Sequence, residues 1–290
     1  TTEIYTLSLH DALPIFYESW AYCCLQKRFE NCQVILLFPL CKLTNHTSFF
    51  PASEGQDQVI FIGGANPSET FSDIHLLGLQ TLSWNLMSPA GFNARYEHAA
   101  FSPLSYPNRI YILCGANQEG NLSDLQYYDL TGDPWSTVKP SGSAPTARTH
   151  HTTAAVDDCL YVFSGGKSGA EPTQDRQVYC YNAVQNSWSS PAINGESPAP
   201  RHGHTLSVYG SKLICFGGMA NSKLYNDVHV LDLDKLNWSS PKVKKRNQPC
   251  PRASHSACIS GKSMYVFGGM NKEGMALDDL WVLDLVSMQW

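Results

Sequence analysis

A unit of about fifty residues recurs five times. Each copy joins an apolar run ending in glycine to a second run of branched and aromatic residues, and a tryptophan follows in fixed register. These three observations predict an all-β protein, a β-propeller with about five four-stranded blades. One four-stranded sheet cannot bury both faces, so radial stacking of such sheets is the economical way to cover them.

Each unit begins with Arg-x-x-His: Arg95 to His98, Arg148 to His151, Arg201 to His204 and Arg252 to His255. In the first unit His46 fills the histidine slot, but Leu43 stands where arginine is expected. Proline precedes the motif in three units (Pro145, Pro200, Pro251) and marks the passage between units. The motif is expected to open the first strand, with the two side chains on opposite faces.

The second strand ends in glycine: VIFIGG (Gly63, Gly64), IYILCG (Gly115, with Cys114 in the first slot), LYVFSGG (Gly165, Gly166), LICFGG (Gly217, Gly218) and MYVFGG (Gly268, Gly269). Taking Gly64, Gly115, Gly166, Gly218 and Gly269 as second glycines, the steps are 51, 51, 52 and 51 residues. Glycine permits a positive φ or a close approach of backbone there. The third strand starts at Asp73, Asp124, Gln177, Asp227 and Asp279, with the composition of a half-buried strand. Eleven residues later come Trp84, Trp135, Trp188, Trp238 and Trp290, five of the seven tryptophans. Each is expected to cover a face between blades.

Composition narrows the function. The 290 residues are 43% hydrophobic and 16% charged, which excludes a disordered chain. A net charge of -5 argues against a nucleic-acid binder. The apolar run Val34 to Leu40 is too short to span a bilayer. Ten cysteines without paired spacing fit a reducing compartment. Residues 1–15 read like a translated sequencing adapter, and residues 16–42 carry no strand or helix period. The propeller domain is therefore expected over 43–290, with units near 43–84, 95–135, 148–188, 201–238 and 252–290.

Groups that recur in every unit read as structural, so function is expected where the copies differ. Those places are the loops after the glycines (ANPSETFS, ANQEGNLS, KSGAEPTQDR, MANSKLYN, MNKEGMALD) and the Trp-to-Arg connections. The last connection holds Lys242, Lys244, Lys245 and Arg246, a basic cluster on an acidic chain and the candidate contact for an acidic partner or membrane surface. No P-loop, nucleophile elbow or paired-cysteine metal motif appears in the repeats. No catalytic, cofactor-binding or metal-binding residue is expected.

The period, the Gly-Gly strand and the spaced aromatic and tryptophan residues resemble kelch repeats, over residues 43 to 290. That resemblance implies a propeller that closes with six or seven blades. Five units would leave the ring incomplete, with an apolar blade face exposed and solubility poor. Kelch proteins include iron-binding specifier proteins with Glu-x-x-x-Asp-x-x-x-His. Here Glu171 and Asp175 are followed by Tyr179, and Glu69 and Asp73 by Leu77, so the histidine is missing. The strings FIGGANPSETFSDIH, ARYEHAAF, CGANQEGN and APRHGH are similar to kelch-repeat effectors of Rab GTPases. This narrower resemblance implies a non-enzymatic scaffold that binds a GTP-loaded late-endosomal Rab. It also implies a role in endosome-to-trans-Golgi transport of mannose 6-phosphate receptors, from the cytoplasm and the endosomal membrane surface. A substrate adaptor, a cytoskeletal binding protein and, more remotely, a kelch-type metal enzyme are the alternatives.

Overall fold

The computed structural model describes residues 47–49, 58–66, 68–132, 134–149, 151–168, 171–243 and 247–290. The expected adapter-like and unpatterned segments lie outside these residues, as do Leu43, His46, Lys244, Lys245 and Arg246. The described chain is all-β and forms five successive blades. Blade 1 comprises Thr47–Phe49, Gln58–Ile62, Ile74–Gly78 and Trp84–Met87. Blade 2 comprises Ala99–Phe101, Arg109–Leu113, Leu125–Asp129 and Ser136–Val138. Blade 3 comprises Thr152–Val156, Cys159–Phe163, Val178–Asn182 and Ser187–Ser189. Blade 4 comprises Thr205–Tyr209, Lys212–Phe216, Val228–Asp232 and Asn237–Ser239. Blade 5 comprises Ser256–Ser260, Ser263–Phe267 and Leu280–Asp284, with a single further bridge from Asp284 to Gln289.

Within each blade the strands run antiparallel in chain order. The register repeats: the residue after each motif histidine pairs with the last residue of the second strand, as in Thr47↔Ile62, Ala99↔Leu113, Thr152↔Phe163, Thr205↔Phe216 and Ser256↔Phe267. First strands of neighbouring blades lie beside one another, so they form the inner ring and the tryptophan strands form the rim.

The core is divided into four clusters, one between each pair of consecutive blades. Ile60 and Ile62 of blade 1 meet Ile110 and Ile112 of blade 2. Tyr111 and Leu113 of blade 2 meet Leu160, Val162 and Tyr181 of blade 3. Val178 and Phe163 of blade 3 meet Leu213 and Leu231 of blade 4. Ile214 and Val230 of blade 4 meet Met264, Val266 and Leu283 of blade 5. Trp135, Trp188 and Trp238 are buried in the first three of these clusters, and Trp290 packs on the fourth. Trp238 lies against Phe163 of the preceding blade with ring centroids 5.3 Å apart, and Trp290 against Phe216 at 5.0 Å. Trp84 is half-buried on blade 1 and contacts Phe61 at 5.3 Å. Burying roughly 200 Å² of tryptophan at about 25 cal/mol per Å² contributes several kcal/mol to each interface it joins.

The outward face of blade 5 has no such cover among the described residues. Leu280 and Val282 are 55% and 40% exposed, whereas Val228 and Val230, the same positions in blade 4, are 3% and 6% exposed. An apolar strip of this kind drives self-association. Replacing Leu280 and Val282 by Glu is expected to suppress concentration-dependent association in sedimentation velocity. The unfolding midpoint should move by no more than the ~0.5 kcal/mol typical of surface changes. Undiminished association would place the sticky surface elsewhere.

Candidate functional site

The chain passes from second to third strand, and from one blade to the next, at the same end of the propeller. The glycine loops and the Trp-to-Arg connections therefore open on one face. The glycine loops fold back as small hairpins, Ala116–Asn117 with Gly120–Asn121, Gly166–Ser168 with Glu171–Pro172, and Met219–Ala220 with Lys223–Leu224. Neighbouring loops are tied laterally. Gln118 Nε2 donates to the Ser68 carbonyl at 3.3 Å, and Asn121 Nδ2 to the Lys167 carbonyl at 2.7 Å. Such cross-links present the loops of blades 1 to 3 as one surface. The exposed side chains on this face include Gln118, Glu119, Lys167, Glu171, Lys223 and Met275.

Beneath the loops lies a recurring arginine socket. Arg95, Arg148, Arg201 and Arg252 are fully buried, and each guanidinium reaches an aspartate of its own blade: Asp124, Asp175, Asp227 and Asp279. Arg201 shows the full pattern. Its Nη1 donates to Asp227 Oδ1 at 2.6 Å and to the Gly217 carbonyl at 2.9 Å, and Nη2 to Asp227 Oδ2 at 3.1 Å. Nε donates to the Ala199 carbonyl at 3.0 Å, and the Tyr225 ring lies 4.0 Å from the guanidinium carbon. Arg95, Arg148 and Arg252 donate in the same way to the carbonyls of Cys114, Ser164 and Gly268. Burial of Asp227 works against its charge, but hydrogen bonds from His229 and Arg201 outweigh it and hold the carboxyl well below the usual range. Burial likewise opposes the charge on Arg201, and Asp227 more than restores it.

Three expectations need correction here. First, Arg-x-x-His is not part of a strand. The motif approaches the inner strand as irregular backbone with positive φ at Glu97, Gly203 and Ser254, so strand alternation does not apply and both side chains are buried. Second, the second glycine of blade 3 is Gly165, not Gly166. The N–H of Gly64, Gly115, Gly165 and Gly218 donates to the carbonyl of the next blade's motif arginine, and Gly166 belongs to the following hairpin. Ser164 then occupies the first slot, as Cys114 does in blade 2, with φ of 55° and 56°, close to the 59°, 64° and 63° of Gly63, Gly217 and Gly268. Third, the acid of blade 3 is Asp175 rather than a residue at the Gln177 position; it meets Arg148 at 3.2 Å through one oxygen.

The motif histidines join blades. His204 Nε2 is hydrogen-bonded to the Thr152 hydroxyl of blade 3 at 2.6 Å, and His255 Nε2 to the Thr205 hydroxyl of blade 4 at 3.0 Å. His98 and His151 occupy the same buried position in blades 2 and 3. Burial first, and then the charge of Arg252, press His255 down to about 3; His204 is lowered in the same sense by burial and Arg201. As the pH falls below about 6.5 the unfolded histidines take up protons that the folded ones refuse, so stability is lost from there toward about 3. At pH 5 His255 alone is expected to cost about 2 kcal/mol relative to pH 7.5. The arginine-paired aspartates, Asp124, Asp227 and Asp279, add losses only below about 3.8. Urea unfolding at the two pH values, with His255→Gln as the control that flattens the difference, checks this.

The Trp-to-Arg connections contain a repeated clasp that the tryptophan register did not reveal. Seven residues after Trp84, Trp135 and Trp188 stand Gly91, Gly142 and Gly195, with φ of 93°, 81° and 81°. Each lies against the next blade's tryptophan, and a Cβ on Gly142 or Gly195 would collide with the carbonyl oxygen of Trp188 or Trp238. Asn194–Gly195 even adds a short parallel strand to blade 4. At the same spacing after Trp238 the sequence has Lys245, inside the basic cluster. Lys242 of that cluster is exposed, and Lys244, Lys245 and Arg246 lie outside the described residues.

Among the described residues no three or more His, Cys, Asp or Glu side chains are grouped to hold a metal, and Asp175 is engaged by Arg148. The two cavities described, of about 410 and 230 Å³, lie on the rim between blades 3 and 4 and beside the Ser105–Arg109 turn, with none of the recurring charged pairs complete in either. No helix among the described residues is long and apolar enough to cross a membrane.

Successive blades, four of them four-stranded, with buried arginine sockets and tryptophan-filled interfaces are the architecture of kelch propellers. The model of the KLHDC2/KLHL20/DRC7 Kelch-repeats domain matches residues 46–246 and 203–290, and the chain belongs to the kelch-repeat family. Within it, the chain is 41% identical over 192 residues to the Rab9 effector protein with kelch motifs of Mus musculus, an alignment covering 65% of this chain and 50% of the relative. It is 38% identical over 193 residues to the protein of the same name from Homo sapiens, covering 66% and 52%. It is 24% identical over 246 residues to acyl-CoA-binding domain-containing protein 4 of Arabidopsis thaliana, covering 81% and 36%. The chain thus spans about half the length of the Rab9 effector proteins it matches.

Proposed function

We propose that this chain is part of a non-enzymatic scaffold that binds a GTP-loaded late-endosomal Rab through the loop face. The observation that carries the reading is the 41% identity over 192 residues to a Rab9 effector protein. The physical basis of state selection is simple. The switch segments of a GTPase take one ordered conformation while the γ-phosphate holds them, and a rigid surface gains affinity only from that conformation. Lateral ties such as Gln118 to Ser68 keep the loops from having to order on binding. Lys242, Lys244, Lys245 and Arg246, in the connection between Trp238 and Arg252, would supply a basic contact for an acidic partner surface. Recruitment by the Rab would bring the protein from the cytoplasm to the endosomal surface and serve endosome-to-trans-Golgi transport.

The test is capture of the chain by immobilised late-endosomal Rab loaded with a GTP analogue or with GDP. Capture at least tenfold stronger on the GTP form is the expected result, corresponding to about 1.4 kcal/mol of selectivity. Equal capture, or none, would overturn the effector reading. Reversing Lys244 and Lys245 to Glu is expected to weaken binding and flatten its salt dependence. Unchanged affinity across a salt series would remove the basic cluster from the interface.

A further inference from the structure

At the end opposite the loop face, two positions meet diagonally in each blade: the first residue of the second strand, and the residue two before its partner on the third. They hold Gln58 and Leu76, Arg109 and Tyr127, Lys212 and Val230, and Ser263 and Val282 in blades 1, 2, 4 and 5. In blade 3 both are cysteines, Cys159 and Cys180. Strand twist closes this diagonal. In blade 2 it brings the guanidinium carbon of Arg109 to 4.9 Å from the centre of the Tyr127 ring. In blade 3 it brings the Cys159 and Cys180 thiols into hydrogen-bonding contact. The two thiols differ in setting. Cys159 follows the Asp157–Asp158 turn and is half-buried, and Asn182 Nδ2 donates to its Sγ at 3.5 Å. Cys180 is 8% exposed and pairs with Tyr161 on one side and Ser189 on the other. Burial first, and then the Cys159 thiol beside it, push Cys180 up to about 12.

We infer that Cys159 and Cys180 form a modification site, a dithiol that a peroxide converts to a disulfide within blade 3. Exposure sets the order of the steps, with Cys159 first. Its thiolate sulfur attacks one peroxide oxygen, the O–O bond breaks, and the departing hydroxide takes up the proton that the Cys159 thiol gave, leaving as water. The Cys180 sulfur then attacks the sulfur of the Cys159 sulfenic acid. The S–O bond breaks, and hydroxide leaves with the Cys180 proton as the second water. The two thiols lose two electrons and two protons, and the peroxide is reduced to two waters. The Asn182 amide favours the Cys159 thiolate by donating to it. Oxidation of Cys159 removes the charge that opposes ionisation of Cys180, so the first step prepares the second. The bond closes a ring that contains the whole glycine loop of blade 3, and so ties together the two strands that carry this loop to the variable face.

Tryptic cleavage after Arg148, Lys167, Arg176 and Arg201 puts the two cysteines on separate peptides, 149–167 and 177–201, each with no other cysteine. The full chain is exposed to hydrogen peroxide, the remaining thiols are blocked with N-ethylmaleimide in urea, and the digest is read by mass spectrometry without reductant. The expected result is a linked pair of these two peptides, lighter by two hydrogens than their sum, that dithiothreitol separates. In Cys180→Ser the link should be lost, and Cys159 should be captured as its sulfenic acid by dimedone. Both thiols still blocked by maleimide, at a peroxide dose that oxidises the exposed Cys250, would overturn the inference. So would either cysteine linked mainly to a third, or a Cys180→Ser chain whose Cys159 yields no dimedone adduct.

Discussion

Arg201→Ala is expected to cost the propeller about 3–5 kcal/mol, the largest single side-chain effect in the molecule. The side chain is 1% exposed and ties three segments together: its own approach at Ala199, the end of the second strand at Gly217, and the third strand at Asp227. Removing it takes this donor from the Ala199 and Gly217 carbonyls, leaves Asp227 with its His229 contact alone, and opens a void against Tyr225. Asp227 is 37% exposed, so water recovers part of its loss, and the two carbonyls carry more of the penalty than the broken ion pair does. Arg201→Lys should lie between, near 2 kcal/mol, because an ammonium reaches the carboxylate or the carbonyl but not the whole fork. Asp175→Asn should cost less than Asp227→Asn, since Arg148 meets Asp175 through one 3.2 Å contact and also uses the Thr146 hydroxyl. Urea unfolding of the four variants, with slopes compared to exclude a change in the unfolded state, measures the series. A cost for Arg201→Ala below 1 kcal/mol would show that the socket is not what holds the third strand.

Side-chain chemistry that recurs at one spacing was legible in the sequence, and backbone geometry was not. The strand order and the placement of Trp135, Trp188 and Trp238 between blades follow from periodicity, because burial of a blade face demands the same residue type in the same place. The relation between Arg and His in the motif does not follow, because strand alternation fails where Glu97, Gly203 and Ser254 turn the chain through positive φ. The letters Gly-Gly point to Gly166, while the true register is set by the Gly165 N–H that reaches the Arg201 carbonyl. Asp175 is hidden by a longer loop, which puts the acid two residues before Gln177, the position that aspartate holds in the other blades. Gly91, Gly142 and Gly195 did leave a signal, a constant seven residues from the tryptophan, but it lay in connections whose lengths vary.

The contrast between the two glycine slots yields the second large effect. At the first slot φ is near 60°, in the left-handed well that non-glycine residues can occupy at a modest cost, and Cys114 and Ser164 do so. Ser164 even turns its side chain to use, accepting the Arg201 N–H at 2.8 Å. The second slot is different. Gly218 has φ of 91°, outside that well, and a Cβ there would come within 2.7 Å of His204 Cβ and 2.9 Å of the His202 carbonyl. Relief would require moving the motif of blade 4, and with it the hydrogen bond from His204 to Thr152 of blade 3. Gly218→Ala is therefore expected to cost about 4 kcal/mol, backbone strain and overpacking together. Removing the thiol at the first slot by Cys114→Ser, a change of similar size, should cost less than half as much, since the φ is already accepted and the Arg148 and Arg95 backbone and guanidinium contacts remain. Equilibrium unfolding of both variants decides the point. If Gly218→Ala proves as mild as Cys114→Ser, the inner ring yields to strain more readily than its packing implies, and the blades are joined at the rim by their tryptophans rather than at the axis by the histidine contacts.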